Sequence, residues 1–412
     1  MGKIISDIVF AWGSISRNRM LSVFTVVVSF FTCVFLSTVL QIADTVYGDN
    51  PPFSNSDRII SLVTDEFKDV SGRSLDGIYA QYIPGFSKSI RSSEMLGISE
   101  TESILVTDGT NIFPTNVGFV SGHYWKMNDF EFVEGRGFTI DEAGNADKKA
   151  VITDEMSRKL YGKGAAVGQQ LEVQGISYKI IGVVKNYSNF STCKSHIDVW
   201  LTSANTKFMP SGVPFFNLDI LFPENVSKDE FKQDLLYSLK SFYEKQNASL
   251  DLETEDLKTL KEQRIAGFGD EGGLFIGLGV IIVLLLLIPA INIITLNESG
   301  IQSRMQEFAV RRAVGATRMD IVKLIITENM VLVCIGFVTG VILKGPVVKL
   351  AENLFFEVSG EGFTILSEPM SVMNGICILV FAIVFAVISG GVPAWLATRK
   401  SISLIMKGGR ND

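Results

Sequence analysis

Cys193, His196 and Asp198 crowd one short stretch, and a thiol, an imidazole and a carboxylate at that spacing are the side-chain types that hold a transition metal. A closed zinc site wants four such ligands, and His123 is the only other histidine in the chain, so the set is too thin to carry a metal reading. Hydrolytic patterns are missing: there is no H-E-x-x-H and no G-x-S-x-G elbow. Phosphate-cradling patterns are missing as well. Gly162-Lys163-Gly164 and Lys407-Gly408 lack the preceding glycine that a G-x-x-x-x-G-K-[ST] loop needs. The carboxylates are many but form no evident pair for acid–base work. The expectation is a non-enzymatic chain with no catalytic, cofactor-binding or metal-binding residues of its own.

What remains is a cluster of cations. Arg304, Arg311, Arg312, Arg318 and Lys323 lie in the short connection between two apolar stretches, Leu274–Ile294 and about Leu324–Leu343. Short loops rich in Lys and Arg stay on the cytoplasmic side of a membrane. Within this one, Glu307 to Ala313 reads as a short amphipathic helix stopped near Gly315, followed by Ala316 and Arg318. Such a helix, held under the membrane, suits contact with a soluble motor. Glu307, Arg311, Arg312, Ala313, Gly315, Ala316 and Arg318 are the candidate coupling residues.

The elements that must position this helix are membrane spans. A mean hydropathy of +0.30 is high for a soluble chain, and the apolar residues are concentrated. Leu21–Ile42 and Leu274–Ile294 carry no charge, and each is long enough to cross ~30 Å of hydrocarbon. A last span runs from about Val372 to Leu396, while Glu328 and Asn329 interrupt the first half of the third. The resulting map has spans at 20–43, 271–297, 321–343 and 372–397. Between them lie an outer domain at 44–270, a coupling segment at 298–320 and an outer loop at 344–371. Lys3, Arg17 and Arg19 before the first span, and Arg399, Lys400, Lys407 and Arg410 after the last, put both termini inside. Residues 1–19 read as an interfacial helix, and 398–412 as a cytoplasmic tail. The long apolar core of the first span favours an anchor over a cleaved signal.

Inside the spans, Pro289 and Asn292 mark a kink with a polar patch, and Gly336 and Gly340 form a small-xxx-small face for helix contact. Glu328 lies about a turn inside the third span. It fits interhelical packing or force transfer, since near the interface a carboxylate stays partly hydrated.

The outer domain reads as mixed α and β. Ala150–Ile152 is a strand leading to a cap at Thr153 or Asp154 and a helix to Tyr161, ended by Gly162. Gln170–Val173 and Tyr178–Val184 are strands joined at Gly175, and Phe216–Phe222 is another. Ser227 to Glu230 has the form of a capping box for a helix to about Tyr243, and Leu250–Leu252 reads as a last strand. Cys193 is the domain's single cysteine, so it folds without an internal disulfide.

The stretch from Ser303 to Ala316 resembles the cytoplasmic signature of the FtsX-like permeases of type VII ABC transporters. Phe132–Thr139, Ala150–Glu155, Gly168 and Ile180–Lys185 resemble the MacB-type periplasmic core domain, and Ser389–Ala397 resembles the family's fourth span. The resemblance implies an α-helical membrane protein with four spans and a large mixed α/β domain between the first two. It implies a homodimer in the inner membrane paired with a separate ATPase that binds the ATP, and roughly 112–200 as an inserted lobe. The implied action is mechanotransmission for export of a peptide, drug or lipoprotein, with a periplasmic adaptor as a further partner and no role for nucleic acid. Signalling to a periplasmic partner, or a receptor without a motor, fit the same topology. The residues of 44–110 match no part of the family pattern.

Overall fold

The structure, a computed structural model, describes residues 19–63, 67–73, 90, 93–109, 111–162, 164–202, 217–267, 276–277, 279–284, 287–291, 293–294, 301, 304–355, 364–366 and 369–399. They fall into two compact units. One is helical and comprises 1–42, 275–350 and 369–412; the other is mixed α/β and comprises 43–274 and 351–368.

Three helices of the helical unit are long and apolar enough to cross a bilayer: α1 (Arg19–Tyr47), α6 (Arg318–Phe355) and α7 (Val372–Arg399). A shorter apolar helix, Gly279–Ile291, lies where the second span is expected. Of that expected span, residues 271–275, 278, 285–286, Asn292 and 295–297 lie outside the described residues, as do residues 1–18 and the tail from 400. The third expected span ends at 343, but α6 continues to Phe355 and carries Pro346 inside it. The helix outlasts its apolar stretch because Lys349, Glu352 and Asn353 are good enough helix residues to extend it once nucleated.

The helices touch where their side chains are smallest. A Cβ at Gly336 would sit 2.5 Å from Ser29 Cβ and 2.7 Å from the Val26 carbonyl oxygen. One at Gly340 would lie 2.8 Å from Cys33 Cβ. The paired glycines of α6 therefore let its backbone press against the Ser29–Cys33 face of α1, as their spacing predicts. Around this contact, Leu36, Val333, Phe337, Ile378 and Phe385 close a buried apolar cluster.

The α/β unit is built on a nine-stranded sheet ordered β1-β9-β2-β3-β8-β5-β7-β4, with β6 paired to both β2 and β7. The strands are β1 (Ile59–Val63), β2 (Met95–Thr107), β3 (Ile112–Val120), β4 (Phe132–Gly135), β5 (Lys149–Thr153), β6 (Gln170–Val173), β7 (Ile176–Val184), β8 (Val199–Thr202) and β9 (Asn217–Leu221). Local sequence fixes several of these. Thr153 Oγ accepts the Met156 N–H to start α2 (Asp154–Tyr161), and Gly162, at φ 65°, ends it. Gln174 and Gly175 both take positive φ between β6 and β7, the left-handed pair that a two-residue hairpin needs. Ser227 accepts the Glu230 N–H at the start of α3 (Lys228–Glu244). That helix buries Phe231, Leu235 and Leu239, one stripe at four-residue spacing, against Ile60, Leu218 and Ile220. Each of these side chains contributes roughly 2 kcal/mol by burial.

Leu250–Leu252 is not a strand. It makes a single bridge, Asp69 to Leu250, before the chain turns through Thr254–Asp256 into α4 (Leu260–Ala266). The helix α4 opens with a reciprocal capping box between Thr259 and Glu262. All four cysteines are free.

Candidate functional site

The helix expected between the second and third spans is α5, Met305–Ala313. Its end is a Schellman motif: Ala316 N–H donates to the Arg311 carbonyl at 3.0 Å and Gly315 N–H to that of Arg312 at 3.2 Å. Gly315 takes φ +108° and has open space where a Cβ would stand, so the requirement for glycine is conformational and not steric. Thr317 and Asp320 then cap α6, with the Thr317 N–H bonded to Asp320 Oδ2 at 2.9 Å and the Asp320 N–H to Thr317 Oγ1 at 3.2 Å. Helix stop and helix start are thus separated by four residues, Val314 to Thr317.

The charges divide into two groups. Arg304 precedes α5 and makes a bidentate pair with Glu328 of α6, Nη1 to Oε2 at 2.7 Å and Nη2 to Oε1 at 3.1 Å. Its guanidinium also lies 5.1 Å from the Phe308 ring centroid. Glu328 therefore ties the start of α5 to α6. The ion pair replaces the hydration that a lone carboxylate would lose inside an apolar helix. Arg311 turns back to Glu307 along the helix at 3.2 Å. Phe308 packs with Ile321, Leu324 and Ala394, so this face of α5 is committed to its own unit.

The opposite face is apolar and open. Val310 is 64% exposed, Val314 84% and Met319 60%, with Gln306, Ala313 and Arg318 exposed beside them. Of the expected coupling residues, Ala313, Gly315 and Arg318 share this exposed side. Arg312 and Ala316 are half-buried, and Glu307 pairs with both Arg311 and Arg304. The expected set did not include Val310 and Val314, four residues apart on α5 and its cap, or Met319 in the first turn of α6.

Within the bundle, Asn329 Nδ2 donates to the Ala386 carbonyl at 2.9 Å and to Ser389 Oγ at 2.7 Å, tying α6 to α7. Its Cβ lies 2.9 Å from the position a Cβ at Gly390 would occupy. Pro289 is half-buried, beside the buried Ala290.

His196 Nε2 lies 3.7 Å from Asp198 Oδ1, and Cys193 does not join them. No group of three metal-ligating side chains occurs among the described residues. Cys193 Sγ meets Gln263 Oε1 at 3.6 Å, and His196 stacks on Tyr187 with ring centroids 4.1 Å apart. Burial lowers the His196 pKa to about 4, which keeps the ring neutral as a packing element.

Sequence comparison settles the lineage. A family model for the MacB-like periplasmic core domain matches residues 20–236. The chain belongs to this family. A second model, the FtsX-like permease C-terminal region, matches residues 279–402, which includes α5, α6 and α7. A macrolide export ATP-binding/permease protein MacB from Shewanella sp. (strain W3-18-1) is 21% identical over 298 residues, 72% of this chain and 44% of that protein. An ABC transporter permease, YknZ, from Bacillus subtilis (strain 168) is 22% identical over 256 residues, 62% of each chain. The chain spans about half the length of the curated relatives it matches. Among solved structures, the periplasmic region of MacB from Actinobacillus actinomycetemcomitans gives a TM-score of 0.39 at 12% identity, covering 48% of this chain and 90% of that one. The MacB-like match thus covers α1 and most of the α/β unit, and the FtsX-like match covers the later apolar helices.

Proposed function

We propose that this permease is the membrane subunit of a mechanotransmitting ABC transporter. It would act as a homodimer in the inner membrane, with four spans per chain and both termini cytoplasmic. A separate ATPase binds the ATP, and residues 44–270 stand in the periplasm, with 112–200 as the inserted lobe. Nucleotide-driven movement of the ATPase reaches α5 through the exposed Val310 and Val314, with Met319 of α6 beside them. It passes through the Arg304–Glu328 pair into α6 and so to the far side of the membrane. The export of a peptide, drug or lipoprotein, with a periplasmic adaptor as a further partner, is the use that best suits such a movement.

The observation that carries this reading is the division of α5 into two faces. One is locked to the third span by a bidentate ion pair, and the other is apolar and open beside the basic residues. Exposed valines on the short helix of a permease suit a protein partner better than water. The test is purification of the tagged chain from its own membrane with everything that accompanies it. A stoichiometric Walker-motif ATPase is expected with wild type and lost with Val314→Glu. Glu328→Gln should keep the ATPase but reduce nucleotide-dependent changes in the α/β unit. An ATPase retained by Val314→Glu, or absent throughout, overturns the reading.

A further inference from the structure

Within the α/β unit, the segment 186–195 gathers hydrogen bonds from places remote in sequence. Arg264 of α4 is 2% exposed, and each of its three nitrogens donates to a main-chain oxygen, Nη2 also reaching Ser56 Oγ at 3.4 Å. Nη1 donates to the Ser191 carbonyl at 2.7 Å, Nε to that of Val46 at 2.9 Å and Nη2 to that of Gly48 at 2.8 Å. Val46 lies in the last turn of α1, and α4 is the last described helix before the second apolar stretch. The same segment reaches the connection between α6 and α7. Asn189 N–H donates to the Thr364 carbonyl at 2.9 Å, Thr364 N–H returns to Asn189 Oδ1 at 2.8 Å, and Ser188 Oγ donates to the Ile365 carbonyl at 2.6 Å. Glu352, near the end of α6, accepts the Ile365 N–H at 2.5 Å.

On its other side the segment enters the sheet. Lys194 Nζ meets Asp219 Oδ1 and Ser99 Oγ, both at 2.8 Å. Asp219, buried on β9, also accepts from Ser99 on β2 at 2.6 Å and from Ser61 on β1. One carboxylate thereby joins three neighbouring strands to Lys194.

Buried ions of this kind are poor stabilisers. Desolvation offsets most of what the bonds return, and apolar residues of similar volume commonly serve as well. What they specify is geometry. A guanidinium is planar with donors in fixed directions, and main-chain carbonyls cannot swing away as side chains do. Its acceptors belong to separate segments, and a hydrogen bond weakens steeply once its geometry departs from the optimum. The segments must therefore shift together or lose their bonds.

We propose that Arg264 and segment 186–195 form a summing joint, with Arg264 as its positioning residue. Displacements arriving at Val46–Gly48, at α4 and at Thr364–Ile365 are combined there and handed through Lys194 to Asp219 and the β1-β9-β2 end of the sheet. The purpose of the joint rests on the motor reading above; its existence does not.

The test is hydrogen–deuterium exchange on the full chain in lipid nanodiscs, with no ATPase present. Ser188→Ala with Asn189→Ala removes the two side-chain bonds to 364–365 and the Ser188 cap on the Phe190 N–H, and leaves the main-chain bond from Asn189 to Thr364. It should nonetheless raise exchange about tenfold at the amides of 46–49, which neither altered side chain touches, and leave β5 and β7 unchanged. Arg264→Gln should do the reverse, raising exchange at 364–366. Changes confined to the residues whose own bonds were removed overturn the joint. Should Arg264→Gln fail to fold, the milder pair decides alone. A linked exchange response in a protein that copurifies no ATPase keeps the joint and removes the motor. An ATPase with strictly local exchange does the opposite.

Discussion

Two arginines show how differently the two units are held. In the helical unit Arg304 faces a carboxylate, Glu328, and the pair is charge against charge. In the α/β unit Arg264 faces the carbonyls of Val46, Gly48 and Ser191. The first joins two side chains, and either can swing away by rotating about its own bonds. The second joins a side chain to main chain, and its acceptors move only when their segments move. The packing around them differs in the same way. The helices have little apolar driving force between them in lipid and rely on backbone approach at Gly336 and Gly340. The α/β unit rests on layered apolar cores around its sheet. The contrast suits a helical unit whose contacts can be rearranged and an α/β unit moved as one body.

The contrast is most easily broken at Gly336. A Gly336→Val substitution drives atoms into the Val26 carbonyl and Ser29, neither of which can rotate aside, and should cost roughly 3 kcal/mol. Thermal unfolding in detergent should report the loss, while the α/β unit keeps its resistance to trypsin. Gly345→Ala is the control on the same helix, because a Cβ there meets nothing. Equal damage from both variants would show that α6 is merely sensitive to change and not held by close approach.

The reciprocal experiment perturbs the α/β unit by pH. His196 titrates near 6.5 when unfolded and near 4 in the fold. Above pH 6.5 both states are neutral and the contribution is flat. Below it the unfolded chain takes a proton that the fold refuses, so stability falls by roughly 2 kcal/mol between pH 6.5 and 5. Urea unfolding followed by tryptophan fluorescence should show that loss in wild type and a shallower one in His196→Leu. Parallel slopes would remove the buried ring as the cause.

The smallest effect is expected at Gly315, where conformation and not space is at stake. Gly315→Ala should cost about 1 kcal/mol and Gly315→Asn less, since asparagine tolerates left-handed backbone better. Lowered melting temperatures in that order would support the reading. A larger loss from Asn than from Ala would mean that something besides the turn constrains the site.

The sequence disclosed most where a structure is local. Thr153, Gly162, Gly175, Ser227 and Gly315 each act on residues within one turn of themselves, and their types carry the signal. The glycine pair of α6 was legible because backbone approach demands that residue type at that spacing. The sheet order was not. It pairs Ile59 with Leu221 and Val117 with Val199, and separations of that size leave no periodic trace. The long strand β2 sets Glu100 and Glu102 among its apolar residues, which hides its alternation. Glu328 drew notice as a charge inside an apolar stretch, yet its partner stands twenty-four positions earlier. Arg264 drew none, because its acceptors are main-chain oxygens, which every residue type supplies.

The length of α6 has one more consequence. Thirty-eight residues of helix extend roughly 57 Å, nearly twice the hydrocarbon thickness. Pivoted at Thr317, such a rod amplifies: each degree of tilt carries its far end about 1 Å sideways. A hinge movement too small to break the Schellman turn at Gly315 would still sweep Glu352 through several times the tolerance of a hydrogen bond. Pro346, with no N–H to give its helix, is the cheapest place for that stroke to be absorbed.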